Sequence, residues 1–199
     1  MKVGMELFYA HGPKAVEFLA SKNLKVFLDL KLHDIPTTVH NALLNLLKLP
    51  IHMINVHAAG GPDMLREAHA AWLKAQRPEV KLIAVTMLTS TTPEMMQKSL
   101  RIPGSLEETV LAYAQMTKDA GLHGVVCSPL EVQLIKKNLG PQFLCVTPGI
   151  RPPGVAAHDQ KRLTTPAEAI KNGSDYLVVG RAITGAADPL QALQTLFQG

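Results

Sequence analysis

Cysteine is scarce in this chain: only Cys127 and Cys145 occur in 199 residues. Both lie in apolar, strand-like runs without metal-ligand spacing, which points to reduced core thiols and against a disulfide framework or a zinc site. Long apolar runs are missing as well. Nowhere do about 18 uncharged apolar residues follow one another, so no membrane-spanning helix is expected. Lys2 and Glu6 bracket too short an apolar stretch for a signal peptide, and a soluble cytoplasmic protein is the expectation. Aromatic residues make up 5%, and the net charge of +4 is spread along the chain. That pattern argues against a nucleic-acid surface and leaves small anionic ligands as natural partners. There is no composition break, low-complexity linker or close internal repeat, and with 47% apolar content the expectation is one domain over residues 1–199.

What is present is a regular alternation of strand-like runs and helical stretches. The expected strands are Lys2 to Phe8, Lys25 to Leu32, His52 to His57, Lys81 to Leu88, Gly124 to Cys127, Gln142 to Thr147 and Tyr176 to Val179. Helix signals fall between them. Ser105 with Glu108, Ser128 with Glu131 and Thr165 with Glu168 have capping-box spacing; Pro166 and Pro189 suit first helical positions, and Gly121 and Gly173 suit C-terminal caps. Repeated strand-then-helix units predict an α/β fold with a parallel sheet, closing as a TIM (β/α) barrel. A full barrel has eight such units, whereas seven strands are recognisable here and the chain opens inside the first at Met1-Lys2-Val3-Gly4. The expectation is an N-terminally truncated barrel, open between two strand edges.

Within the second strand, charge conflicts with burial. Strand alternation sends Val26, Leu28, Leu30 and Leu32 to one face and Phe27, Asp29 and Lys31 to the other, making Asp29 and Lys31 neighbours. Taking a carboxylate and an ammonium out of water costs several kcal/mol each unless they pair. Such a pair near a strand end marks either a working site or a structural ion pair at the strand mouth.

In a barrel, chemistry belongs at the C-terminal ends of the strands. The residues there are Asp29, Lys31 and Asp34 after the second strand, then His57 and the small run Ala58-Ala59-Gly60-Gly61 after the third. Thr89 and Ser90 follow the fourth, Pro148-Gly149-Ile150-Arg151 the sixth and Gly180-Arg181 the seventh. Barrels commonly grip phosphate with the loops after their last two strands, and both of those loops carry an Arg. Arg151, Gly180 and Arg181 therefore read as a phosphate clamp, Gly180 allowing close backbone approach. The residues alone reach a phosphate-bearing substrate and a lysine acid.

Six segments carry a further resemblance: Lys2-Val3-Gly4-Met5-Glu6-Leu7-Phe8, Asp29-Leu30-Lys31-Leu32-His33-Asp34-Ile35-Pro36, Asn55-Val56-His57-Ala58, Leu88-Thr89-Ser90, Pro148-Gly149-Ile150-Arg151-Pro152 and Val179-Gly180-Arg181. Together they resemble the bacterial orotidine 5'-phosphate decarboxylase family over nearly the whole chain. The resemblance implies decarboxylation of orotidine 5'-phosphate to UMP and CO2, the last step of de novo UMP synthesis, without metal or organic cofactor. It implies that Lys31 is the proton donor, that Asp29 and a partner subunit's Asp34 flank it, and that Lys2 completes an alternating network. A homodimer with shared sites follows. Thr37 and Thr38 would also reach across the interface, Thr89 and Ser90 would contact the pyrimidine, and Arg151 and Arg181 the phosphate. Gln160 would bridge phosphate and base from a lid rich in Pro and Gly, residues 152–160. The family begins with a strand carrying a ribose-contacting Asp, then a helix, and this chain has neither.

The remaining candidates have simpler readings. His57 reads as a hydrogen-bonded structural histidine, and His33 is expected to face away from the network by alternation. Met5, Met53 and Met87 read as core filler. Two other functions fit parts of the pattern: a sister phosphosugar lyase or aldolase, a group that generally uses magnesium, and a chain that binds nucleotide without turning it over.

Overall fold

Val3 is the one β-branched residue in the first ten positions, and the extended backbone there is correspondingly short. In the computed structural model, which describes residues 1–151 and 164–196, β1 covers only Lys2–Gly4 and helix α1 follows at once over Met5–His11. The expected strand from Lys2 to Phe8 is thus corrected. Met5, Glu6, Leu7 and Ala10 are good helix formers, while Phe8 and Tyr9 suit a strand as well, so local preference allows the helix without dictating it. Met5 is accordingly not core filler: it stands on α1 and is largely exposed, as is Glu6.

The other six strands lie where alternation and apolar content put them, with shorter ends: β2 Phe27–Leu32, β3 Met53–His57, β4 Lys81–Val85, β5 Gly124–Val126, β6 Leu144–Thr147 and β7 Tyr176–Leu177. Helices separate them: α2 Pro13–Ser21, α3 Pro36–Leu46, α4 Gly61–Ala75, α5 Leu106–Asp119, α6 Val132–Leu139, α7 Pro166–Lys171, α8 Arg181–Thr184 and α9 Pro189–Thr195. This is the α/β order of a (β/α) barrel, with seven strands among the described residues. None of the described helices is long and apolar enough to cross a membrane.

The chain divides into two compact units. The first comprises Met1–Thr86 and Tyr113–Gly124. In it β1, β2, β3 and β4 pair side by side in chain order, all parallel. Its core is fully buried and aliphatic, built from Val3 on β1, Leu28 on β2, Ile54 and Val56 on β3 and Leu82 on β4. Val39 and Leu43 of α3 and Met64, Leu65 and Ala68 of α4 pack over them. His123 closes this unit by accepting the Leu82 N–H on Nδ1 at 3.0 Å and setting its ring edge-on to Trp72.

The second unit comprises Met87–Ala112 and Val125–Gly199. There β5 neighbours β6, and β6 pairs in parallel with β7. Cys127 and Cys145 are buried and form no disulfide among the described residues, as expected of core thiols. Thr165 and Glu168 form the expected reciprocal capping box at the start of α7, where Pro166 takes a first-turn position. Ser105 and Glu108 do the same for α5, at 2.9 and 3.1 Å. At α6 the box is half made: Glu131 accepts the Ser128 N–H, but the Ser128 hydroxyl turns to the Leu130 N–H instead.

Candidate active site

The decisive local feature lies where β2 meets β3. Leu28 is paired with Ile54, and the next matched pair is Leu32 with Val56. Asp29, Leu30 and Lys31 therefore stand opposite Asn55 alone. Such a bulge breaks the two-residue period and re-aims the side chains it carries. Leu28, Asp29 and Leu30 are consecutively buried, as in a parallel strand covered on both faces. Lys31 absorbs the surplus with φ at 52°, a left-handed conformation that costs a non-glycine residue on the order of 1–3 kcal/mol.

Around this bulge the charged residues converge on one carboxylate. Lys31 Nζ donates to Asp29 Oδ1 at 2.7 Å, and Lys2 Nζ stands 2.9 Å from Asp29 Oδ2. Asn55 Nδ2 donates to the same Oδ1 at 2.7 Å, while Asn55 Oδ1 accepts the backbone N–H of Lys31 at 2.8 Å. Asp29 is 7% exposed and Asn55 is fully enclosed, but the Lys2 and Lys31 side chains keep 36% and 27% of their surface. Burial alone would raise the Asp29 carboxyl. The charge of Lys2, the hydrogen bond and charge of Lys31 and the hydrogen bond of Lys2 outweigh it and hold the carboxyl below its ordinary 3.8. Gly4, the ladder partner of Asp29, leaves room for this arrangement, since a Cβ there would come within 3.1 Å of the Lys2 Nζ.

Two imidazoles border the network. His57 ends β3, and its Nδ1 accepts the Ala59 N–H at 3.2 Å, the structural role expected of it. His33 does not face away: counted from Asp29 and Lys31, alternation itself puts it on their side, and its ring stacks on that of His57 with centroids 5.3 Å apart and planes 18° from parallel. Burial, then the neighbouring His33 and Lys31, push His57 down to about 4, so it is neutral near neutral pH. An ammonium fixed by a buried carboxylate and still reaching solvent can deliver a proton or stabilise negative charge developing beside it.

Of the sequence-predicted residues, Lys2, Asp29 and Lys31 are brought together directly. Asp34, Thr37 and Thr38 are exposed on the loop after β2 and the first turn of α3, and the Asp34 carboxylate accepts the Ile35 N–H at 2.7 Å. In the second unit, Thr89 is buried and Ser90 half-buried in the turn after β4. Arg151 is buried after β6, where its Nη1 donates to the Ile150 carbonyl at 2.8 Å and its backbone bonds to Thr164. Among the described residues its Nε has no partner. Gly180 caps α8, with open space where a Cβ would stand, and Arg181 begins that helix, exposed. Gln160 and the lid at 152–160 fall outside the described residues, the first lid position being 152. Asn55 and Gly4 were not among the predicted site residues. A polar residue inside the otherwise apolar run Met53–Val56 is the signal that would have found Asn55.

Comparison with known proteins identifies the family. Residues 1–196 match the model of the orotidine 5'-phosphate decarboxylase / HUMPS family. A curated orotidine 5'-phosphate decarboxylase of Streptococcus pneumoniae is 54% identical over 196 residues, covering 98% of this chain and 82% of the relative. The crystal structure of orotidine 5'-phosphate decarboxylase from Lactobacillus acidophilus superposes with a TM-score of 0.86 at 42% identity, covering 99% of this chain and 84% of that one. An uncharacterized conserved protein from Geobacillus kaustophilus gives 0.85 at 44% identity, with 99% and 86% covered. At 21% identity and a TM-score of 0.75, the orotidine 5'-phosphate decarboxylase of Pyrococcus horikoshii shares the fold. The chain therefore belongs to the orotidine 5'-phosphate decarboxylase / HUMPS family.

Proposed function

We propose that this chain decarboxylates orotidine 5'-phosphate to UMP and CO2, as a carboxy-lyase of de novo pyrimidine biosynthesis. The observation that carries the reading is the Lys2–Asp29–Lys31 network, with its contacts at 2.9 and 2.7 Å, in a chain 54% identical to curated decarboxylases. When the C6–CO2 bond breaks, its electron pair stays on C6 of the pyrimidine. Lys31 Nζ gives a proton to that carbon, becomes a neutral amine, and takes a proton back from solvent after release of product. A cation already fixed beside the developing charge needs no reorganisation at the moment of reaction, which is where electrostatic catalysis gains most. Asp29 holds that cation in place, and Lys2 offsets the carboxylate's own charge.

In this reading residues 1–199 act as one (β/α)-barrel domain in a cytoplasmic homodimer. The partner subunit's Asp34 completes the carboxylate set, and Thr37 and Thr38 reach across the interface. Thr89 and Ser90 contact the pyrimidine; Arg151, Gly180 and Arg181 hold the phosphate; Gln160 bridges phosphate and base. Support for the clamp is the placement of both arginines at strand C-termini, with the Nε of buried Arg151 free for an anion among the described residues. The test is UMP affinity by calorimetry measured beside turnover of orotidine 5'-phosphate. Binding with turnover supports the decarboxylase, and binding without it makes this a nucleotide-binding chain.

A further inference from the structure

We infer that Asn55 is a positioning residue for the proton donor: its carboxamide holds the left-handed backbone at Lys31 and the carboxylate of Asp29 in a single orientation. The inference rests on the reading of Lys31 as that donor. It starts from a surplus in the ladder. Three residues of β2 stand opposite Asn55 alone, so the regular ladder offers the Lys31 N–H no carbonyl, and a buried backbone donor left unpaired is costly. The Asn55 side chain takes the place of that missing rung. Its Oδ1 accepts the Lys31 N–H at 2.8 Å and its Nδ2 donates to Asp29 Oδ1 at 2.7 Å.

At neutral pH an amide does both jobs where an ionised carboxyl cannot. The face toward Lys31 must be an acceptor, because a backbone N–H has only a proton to offer. The face toward Asp29 must be a donor, because an ionised carboxylate only accepts. Leucine or alanine would leave the Lys31 N–H without its acceptor and take one donor from Asp29, and an ionised aspartate would set carboxylate against carboxylate. Asn55 is fully enclosed, so water cannot stand in for either contact without the strand opening. The same oxygen of Asp29 also receives Lys31 Nζ at 2.7 Å. Asn55 thus meets both ends of the donor residue, its backbone directly and its ammonium through one shared oxygen. Released from this grip, Lys31 would relax toward ordinary extended backbone, and its side chain would leave along another direction.

The experiment uses Asn55→Ala and Asn55→Asp in the full chain, with three readouts: kcat against KM, UMP affinity, and amide hydrogen exchange at Lys31. In Asn55→Ala, kcat is expected to fall about a hundredfold, the scale of an ångström-sized misplacement, while UMP affinity changes less than about threefold. Exchange at the Lys31 amide should quicken about tenfold or more, while the β3–β4 amide of Ile83 keeps its rate. Asn55→Asp keeps the shape and carries a signature that packing alone would not produce. Once protonated, the introduced carboxyl can donate to Asp29, so turnover should recover as pH falls, unlike the alanine variant. An Asn55→Ala chain with kcat within about threefold of the parent would overturn the inference. So would a loss of kcat matched by an equal loss of UMP affinity, with faster exchange at Ile83 as well. If alanine prevents folding, the pH recovery of the aspartate variant decides. If the parent chain has no turnover, the decarboxylase reading fails separately, and selective exchange at Lys31 still decides whether Asn55 holds it.

Discussion

Replacing Asp29 with asparagine separates a working site from a structural ion pair, because the two accounts differ in size and in observable. Asp29 is enclosed, so its ionised form gives up several kcal/mol of hydration that its partners must return. Its charged partners are not enclosed, since the Lys2 and Lys31 side chains retain 36% and 27% of their surface, and the enclosed Asn55 amide can donate to an asparagine oxygen as it does to the carboxylate. Ion pairs with that much solvent contact return about 0–1 kcal/mol each. In Asp29→Asn the ammonium groups rehydrate where they stand and the amide oxygen still accepts from Lys31, so folding stability should change by no more than about 1 kcal/mol. Turnover should fall about a hundredfold or more, because the cation at the reacting carbon is no longer fixed. The pH dependence has a definite sign. A carboxyl held below 3.8 contributes stability above that value and loses it as pH falls toward its folded titration point, so the difference between parent and variant should narrow in acid. Urea unfolding at several pH values, beside steady-state turnover, measures both quantities. A stability loss of about 3–5 kcal/mol, the scale of a broken buried pair, with turnover retained would refute this reasoning and leave a structural salt bridge.

His57 should remain neutral in NMR titrations down to about pH 4, so a ring midpoint near 6.5 would contradict its enclosed, stacked environment. Because its folded value lies below the unfolded one, the unfolded chain takes the proton first, and His57 should lower folding stability as pH falls from about 6.5 towards 4. Chelation with EDTA should leave turnover of orotidine 5'-phosphate unchanged, whereas loss of activity restored by magnesium would favour the sister phosphosugar lyases. Thr165→Ala should lower stability by about 1 kcal/mol by removing the capping box of α7, read from the urea midpoint; no shift would mean that α7 is held by packing alone.

The seven strand positions and the starts of α5, α7 and α9 were legible because they follow from local chemistry: runs of Val, Ile and Leu, capping pairs such as Thr165 with Glu168, and proline at first turns. The pairing of Asp29 with Lys31 was legible for the same reason, since both interrupt an apolar run. The bulge was not. It arises from the register between β2 and β3, residues about two dozen positions apart, and Lys31 carries none of the usual marks of left-handed backbone, which favours Gly and Asn. The stacking of His33 on His57 and the contacts of Asn55 both join β2 or its end to β3, so neither was legible from one strand alone. The early end of β1 was hidden differently: Leu, Phe and Tyr after Gly4 suit strand and helix alike, and only the tertiary setting chose.

The central claim is that Lys31 delivers the proton that completes decarboxylation. Its most direct test is release of labelled CO2 from carboxyl-labelled orotidine 5'-phosphate by the purified chain, with Lys31→Ala run in parallel and UMP binding recorded for both. The account predicts release by the parent chain, no release above background by Lys31→Ala, and UMP affinity retained in the variant. Release at an unchanged rate from Lys31→Ala would contradict it.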